Sequence, residues 1–430
     1  MTAEPPPPPI PIVETMSIDE GMDAGMEAGI EREIRSIRAE IAAMRRQETT
    51  AHVDRIRRSE IQAMIATTLA TTIDGTTKQG LQPEPPWHRI VSRDGNFSLD
   101  LAIYTQVNWI ANRTSAAPTD HGFEIGTVRI TFAGSIIDPS LTYATRLTVG
   151  DQGLGTLEFA TFQKQYDNGV MLQAGLIEPQ FSLEQAIDNN QQLGVGLSFT
   201  AGQWDPSALP GLSIGWTSDD FRAWGTYSND WGRSYVDVLR NQRQTVIGRA
   251  EWKPFGDWTD LYDFNAYPET IVPGMLLGVG GAFGWGATDI GGPNEADGDA
   301  TRLTADVSLQ SPGLGGMATI SWQSGVPGTD LSGGGERLAV VGQAGCFLDP
   351  TVEVYARGEW GTPLLDGVED LRVFTVGASW MPRSNRMIKV SAEFMQVLGD
   401  ARYWEIDGDP GIRQVETPQS IVRAQLQLSF

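Results

Sequence analysis

The sequence predicts an all-β protein, a 16-stranded antiparallel transmembrane β-barrel with an N-terminal α-helical coiled-coil segment. Apolar and polar side chains alternate from about residue 97 to the last residue, as in Leu303 to Leu309, and a period of two is that of a β-strand. Tight turns alternate with long polar loops over the same region. No run of about 18 uninterrupted apolar residues occurs, which leaves a barrel as the way to cross a bilayer.

The N-terminal region is predicted to be separate from the barrel. Residues 1–28 are rich in proline, then in glycine, methionine and acidic residues, which predicts a flexible spacer. Residues 29–72 are predicted to form a coiled-coil helix, and 73–93 a linker. The heptad positions are occupied by Ile30, Ile34, Ile37, Ile41 and Met44. Isoleucine at both core positions favours a trimer; the alternative is a single amphipathic helix lying on the main domain.

Residues 94–430 are predicted to form the barrel. Seventeen runs have the length of a membrane crossing, whereas a single-chain bacterial barrel has an even number of strands. The weakest run, Leu193 to Phe199, is interrupted by glycine, so we assign it to a constriction loop at about 178–209. Sixteen strands remain. A soluble β-sandwich or propeller also alternates, but here each run carries a polar face with long side chains, which favours the barrel.

Composition excludes several classes of function. The 31 Lys and Arg against 54 Asp and Glu give a formal net charge of −23, so a nucleic-acid partner is not expected. One cysteine and three widely separated histidines provide no disulfide and no metal-ligand spacing. The glycine-rich run Gly278 to Gly281 is followed by more strand rather than by a helix, so it does not form a phosphate-binding loop. We therefore expect no enzyme activity, no metal and no cofactor.

Strand parity predicts which charged side chains face the lumen. The basic ones, interpreted as pore-lining, are Arg129, Arg146, Arg222, Arg249, Arg302, Arg357, Lys389 and Arg423. Seven acidic residues share that face, so the wall is nearly balanced in charge. The alternative for each basic residue is a cross-strand ion pair or an ordinary solvated position.

The predicted constriction loop is acidic. It holds Glu178, Glu184, Asp188 and Asp205, with no lysine or arginine from 178 to 209. If the loop folds into the pore, its acids face the basic wall, set up a transverse field and disfavour tightly bound polyanions. The alternative is that these acids point away from the path or bind divalent cations.

Aromatic residues mark the ends of the predicted strands. Eight tryptophans, Trp224 among them, lie near strand ends, as in the aromatic girdle of a membrane barrel. The chain ends on Phe430 within an alternating strand, and we interpret this residue as a C-terminal assembly signal.

Four short segments resemble the phosphate-selective porin O and P family: Gly175 to Glu184, Asp94 to Leu99, Phe123 to Gly134 and Leu209 to Gly211. The resemblance extends over roughly residues 87 to 430. It implies a trimeric sixteen-stranded outer-membrane barrel with an inward-folded third loop and an arginine ladder, to which Arg129 and Arg146 would belong. The sequence departs from the family where Glu178 stands in place of a lysine and Pro179 lies one residue early.

The predicted function is that of an outer-membrane porin, a water-filled channel for passive diffusion of ions and small hydrophilic solutes, including anions such as phosphate. The predicted partners are these solutes, outer-membrane lipid, two further copies in a homotrimer, and the cell wall through the N-terminal arm. The predicted location is the outer membrane of a Gram-negative-type bacterium, although no signal peptide is visible. The alternatives are a structural barrel tethered through the N-terminal arm and a soluble β-rich binding protein.

Overall fold

A computed structural model describes residues 89–114, 119–149, 155–229, 244–268, 271–285, 299–325, 336–364, 367–382, 387–404, 411–416 and 418–430. The predicted spacer at 1–28, the coiled coil at 29–72 and most of the linker at 73–93 lie outside these residues. Within the described part, no helix is long and apolar enough to span a membrane.

The described residues form seventeen strands. The first is short, β1 (Arg89–Val91), and sixteen long strands follow. These are β2 (Ser98–Thr114), β3 (Asp120–Ile136), β4 (Asp138–Val149), β5 (Gly155–Gln165), β6 (Val170–Ile177), β7 (Leu209–Thr217), β8 (Phe221–Ser228), β9 (Gln244–Phe255), β10 (Gly274–Trp285), β11 (Ala300–Ser311), β12 (Leu314–Ser324), β13 (Arg337–Asp349), β14 (Val352–Thr362), β15 (Leu371–Trp380), β16 (Ile388–Leu398) and β17 (Gln419–Ser429).

The sixteen long strands close into a barrel. Each pairs antiparallel with its neighbours in sequence, and β17 pairs with β2, so that Arg423 lies opposite Ile110. The short β1 pairs with the start of β2, where Ile90 lies opposite Leu99. The predicted number of strands and the antiparallel order are confirmed, and the closed ring differs from the two stacked sheets of a sandwich.

The barrel has an apolar outside and a polar inside. On β11, Leu303 and Leu309 point outward with exposures of 50% and 53%, whereas Asp306 and Ser308 point inward with exposures of 5% and 0%. Most of the other strands show the same alternation, and large apolar side chains are exposed on their outer faces. This arrangement reverses that of a soluble protein and is the one expected for a barrel in lipid.

Connections at one end of the barrel are short, and most at the other end are longer. The longest, residues 178–208, joins β6 to β7 and folds into the lumen. It contains the helix Leu183–Ala186, a 3-10 turn at Asn189–Gln191 and the helix Phe199–Trp204. We call residues 178–208 the constriction loop. Leu193 belongs to the run that the sequence analysis assigned to a loop, and it lies in this connection rather than in a strand.

The connection from β9 to β10 breaks the pattern of the short end. Residues 256–268 include the helix Trp258–Leu261 and also turn inward, so that Leu261, Phe264 and Asn265 are buried. We call residues 256–268 the lower insert, because they enter the barrel from the short-turn end. It meets the constriction loop where Phe264 N–H donates to the carbonyl of Gln191 at 3.1 Å. Apolar side chains from both insertions, including Leu183 and Leu261, share one buried cluster with wall residues.

Candidate functional site

The interior is divided into a filled side and an open side. Charged inner-wall side chains on β9 to β17 are covered, as shown by Arg249 at 2% exposure, Glu353 at 0% and Lys389 at 2%. On β3 to β5, the side chains of Arg129 and Glu158 keep 19% and 20% exposure. The constriction loop and the lower insert therefore pack against β9 to β17 and leave the polar wall beside β3 to β6 less covered.

Arg249 anchors the start of the constriction loop to the wall. Its guanidinium donates to both carboxylate oxygens of Asp306, at 2.7 and 2.8 Å, and to Glu251 at 2.7 Å. Nη1 also donates to the carbonyl of Phe181 at 3.0 Å. A buried bidentate arginine–carboxylate pair has fixed geometry, so it holds the loop backbone in one place.

Glycines on β10 make this anchor fit. Gly278 lies between Arg249 and Asp306 on the inner wall, and a Cβ there would collide with both side chains. A Cβ at Gly280 would collide with the carbonyl of Phe181. These two glycines therefore allow the close approach of an ion pair and of the loop backbone.

The middle of the loop is held by both donors and acceptors of the wall. Arg302 donates to the carbonyl of Trp204 at 2.8 Å, and Arg357 to that of Gly196 at 2.9 Å. The carboxylate of Glu359 accepts from Phe199 N–H at 2.7 Å. These bonds satisfy backbone groups that the folded-in loop would otherwise bury without partners.

Two further wall residues complete the attachment. Lys389 donates to the carbonyl of Gln192 and to Asn265 Oδ1, the latter at 3.1 Å, so it joins the loop to the lower insert. Glu393 accepts from Val195 N–H at 3.1 Å and pairs with Arg423. Of the eight basic residues predicted to line the pore, Arg249, Arg302, Arg357, Lys389 and Arg423 thus face the interior but are covered.

Arg129 and Arg146 lie on the open side. Arg129 pairs with Glu158 at 2.8 Å, and Arg146 lies 3.7 Å from the same carboxylate. Arg146 also pairs with Asp188 of the constriction loop at 3.0 Å. The open side is therefore lined by opposite charges from the wall and the loop.

The four loop acids occupy different environments. The side chain of Asp188 is 57% exposed, whereas Glu184 is 3% exposed and accepts from Ser198 N–H at 2.6 Å. Burial raises the pKa of the Glu178 carboxyl, an effect that the nearby Arg146 guanidinium opposes. Burial also raises the pKa of the Asp205 carboxyl well above its usual range, although Ser182 Oγ donates to it at 2.7 Å. Asp188 is thus the most exposed of the four loop acids.

A cavity of about 380 Å³ lies on the open side between β4 to β8, the constriction loop and the lower insert. Its lining includes Trp224, which lies on the same inward face of β8 as Arg222. The prediction of an outer girdle is therefore wrong for this tryptophan, whereas Trp216 on the neighbouring β7 points outward. The guanidinium of Arg222, the eighth predicted pore-lining base, lies 4.1 Å from the ring centroid of Trp258.

Phe430 ends the ring at the short-turn end. Its N–H donates to the carbonyl of Ile103 at 2.9 Å, and its carbonyl accepts from Ile103 N–H at 2.6 Å. The side chain is 49% exposed. The last residue thus pairs with β2 and extends the contact that closes the barrel.

Sequence reasoning missed the lower insert. The segment Trp258 to Tyr267 is long and aromatic for a connection at the short-turn end, and that composition is the signal by which it could have been recognised. Within the described residues, no group of three or more His, Cys, Asp or Glu side chains is arranged to hold a metal ion.

No protein-family model matches the sequence, and no curated protein matches it significantly. Solved structures are similar in fold. The anion-selective porin from Comamonas acidovorans has a TM-score of 0.53 at 13% identity, over 78% of this chain and 100% of that chain. The outer membrane channel DcaP of Acinetobacter baumannii has a TM-score of 0.52 at 10% identity, over 80% and 100%. The trimer form of in-vitro folded OmpT from Vibrio cholerae has a TM-score of 0.51 at 12% identity, over 77% and 99%.

These likenesses show the fold: the chain is a sixteen-stranded closed barrel like those of porins. They support the general porin barrel and do not single out the phosphate-selective porin O and P family.

Proposed function

We propose that this protein is an outer-membrane porin that passes ions and small hydrophilic solutes by passive diffusion. The observation that carries the proposal is the reversed polarity of the closed ring, apolar outside and charged inside. Lipid can solvate the apolar outer surface, and water can solvate the charged side chains Arg129, Arg146 and Glu158 along the proposed passage. The protein then needs no bond chemistry.

The proposed location is the outer membrane of a Gram-negative-type bacterium, and the proposed assembly is a homotrimer. The porin barrels with similar folds and the trimer form of OmpT support both. The heptad spacing from Ile30 to Met44 favours the same number of copies. The N-terminal arm is proposed to reach the cell wall.

The passage is proposed to be weakly selective. Arg129 and Arg146 face Glu158 and Asp188 at ion-pair distances, so the positive charge that a bound anion needs is already matched. Anions such as phosphate then pass without being held tightly. Glu178 stands where the phosphate-selective porins that the sequence resembles have a lysine, which favours the same conclusion.

Planar-bilayer recording of the refolded full chain tests the proposal. We expect stepwise conductance, a small reversal potential under a potassium chloride gradient, and a current that rises linearly with phosphate. Saturation at low phosphate would instead indicate phosphate selectivity. Heat-modifiable, folded protein that gives no conductance steps would contradict the proposal and favour a structural barrel.

A further inference from the structure

The cavity on the open side has the chemistry of a solute-binding site, and we infer that it is a subsite for a neutral polyhydroxylated solute of the sugar class. The inference rests on the proposed diffusion function, because it places a weak recognition step within that passage. The cavity volume of about 380 Å³ falls in the ~300–1,000 Å³ range of small-molecule sites.

Uncharged polar groups supply most of the hydrogen-bonding capacity. Gln163, Gln173 and Gln180 line the cavity, together with Thr161 and Ser213. Gln163 and Gln173 are register partners on β5 and β6, and Gln173 lies opposite Ser213 on β7. Amides and hydroxyls both donate and accept, which matches a solute whose every hydroxyl also does both.

Aromatic rings supply the apolar part of the lining. Phe159 and Trp224 come from the wall, and Tyr262 comes from the lower insert. Trp224 lies opposite Gly215, where an added Cβ would be 2.9 Å from its Cδ1 atom, so the glycine leaves room for the indole beside the wall. The apolar C–H faces of a sugar ring pack on aromatic rings in this kind of setting.

The charges of the cavity disfavour an anion as the preferred solute. Its one arginine, Arg222, is stacked 4.1 Å from the ring centroid of Trp258 and 5.5 Å from that of Tyr262. Glu178 enters the same lining from the loop. Arg146 lies 4.8 Å from the ring centroid of Phe159 but is paired with Asp188. Because each nearby positive charge meets an acid, no excess of positive charge attracts an anion.

The test combines current block with binding measured without current. Maltose is added to the refolded full chain during planar-bilayer recording, with a polyethylene glycol of similar mass as the control solute. We expect maltose to reduce the potassium chloride current saturably and the glycol to reduce it only in proportion to solution viscosity. Titration calorimetry of maltose into the protein in detergent should give the same half-saturating concentration.

Trp224→Ala should raise that concentration about tenfold, the size of one lost aromatic contact. Trp216→Ala, on the outer face one strand away, should leave it unchanged. Trp224→Phe keeps a ring and should fall between the two, which separates loss of binding from loss of folding.

Equal, unsaturable effects of maltose and the glycol would overturn the subsite, as would identical maltose block in the Trp224→Ala and Trp216→Ala proteins. Saturable calorimetric binding without any conductance would support the subsite and overturn the porin proposal instead. The two ideas therefore fail by different observations.

Discussion

Single glycines on the inner wall make room for the contacts that hold the constriction loop. Gly278 leaves the space in which Arg249 and Asp306 meet, and Gly280 leaves the space for the carbonyl of Phe181. An arginine buried on the wall is then fully partnered rather than isolated, which avoids the cost of an uncompensated charge.

Gly278→Ala is expected to destabilise the folded barrel by roughly 1–3 kcal/mol, because the new methyl group displaces the Arg249–Asp306 pair and overpacks the site. Urea unfolding in detergent, followed by tryptophan fluorescence, measures the change. Gly281→Ala on the same strand is the matched control, since its Cβ would lie 3.4 Å from Leu303 Cδ2, an ordinary contact. Equal stability of the two variants would contradict this view of Gly278.

Asp205 gives a pH dependence with a definite sign. Burial raises its pKa well above the usual range, so the folded state binds the proton more tightly than the unfolded state. Its stabilising contribution is complete below the unfolded pKa of about 4 and is lost as pH rises through the folded value. Asp205→Asn should therefore lose less thermal stability than the wild type between pH 4 and pH 8. A larger loss in the variant would show that the sign is wrong.

At the scale of elements, the constriction loop and the lower insert form one interior layer although they enter from opposite ends. Phe264 N–H bonds to the carbonyl of Gln191, and Lys389 bonds to both segments. The loop position consequently depends on a segment at the other mouth of the barrel.

Lys389→Met should loosen this layer, because it keeps the length of the side chain but removes the ammonium donor. We expect a loss of about 2 kcal/mol in unfolding free energy, typical of hydrogen bonds to a charged group, and a noisier single-channel current. Lys164→Met is the control: Lys164 pairs with half-exposed Asp138 at the short-turn end, and its loss should cost at most about 1 kcal/mol. Quiet current in both variants would mean that Lys389 does not position the loop.

The elements show where prediction from the sequence works and where it stops. Alternation predicted the strands because the side-chain period depends only on local geometry, and it identified the faces of Arg249 and Arg423. It did not predict that these side chains are covered, because what covers them comes from residues distant in the chain. Trp224 was misplaced because nearness to a strand end does not by itself decide between inside and outside.

At the scale of the whole molecule, the polarity of the outer surface decides whether the barrel is stable in a lipid bilayer. Val279 is 58% exposed near the middle of β10, and Leu314 is 56% exposed at the start of β12. A bilayer penalises charge most strongly at its midplane, so these two positions probe the depth profile of the apolar belt.

Val279→Arg should destabilise the barrel folded in lipid vesicles by about 2–4 kcal/mol, and Leu314→Arg should destabilise it by about 0–1 kcal/mol. The heat-dependent shift in gel mobility across a urea series gives both values. Similar small losses at the two positions would indicate that the outer waist is not in hydrocarbon.

The open side and the filled side of the interior should differ in how well they tolerate substitutions. In the proposed porin, variants at inward positions of β3 to β6, such as Gln163 and Arg129, should alter what permeates while leaving expression intact. Variants at Glu359 or Glu393 would instead lower the yield of assembled protein before any transport defect became visible. A saturation screen that scores abundance and uptake separately should therefore sort inner-wall phenotypes by strand number.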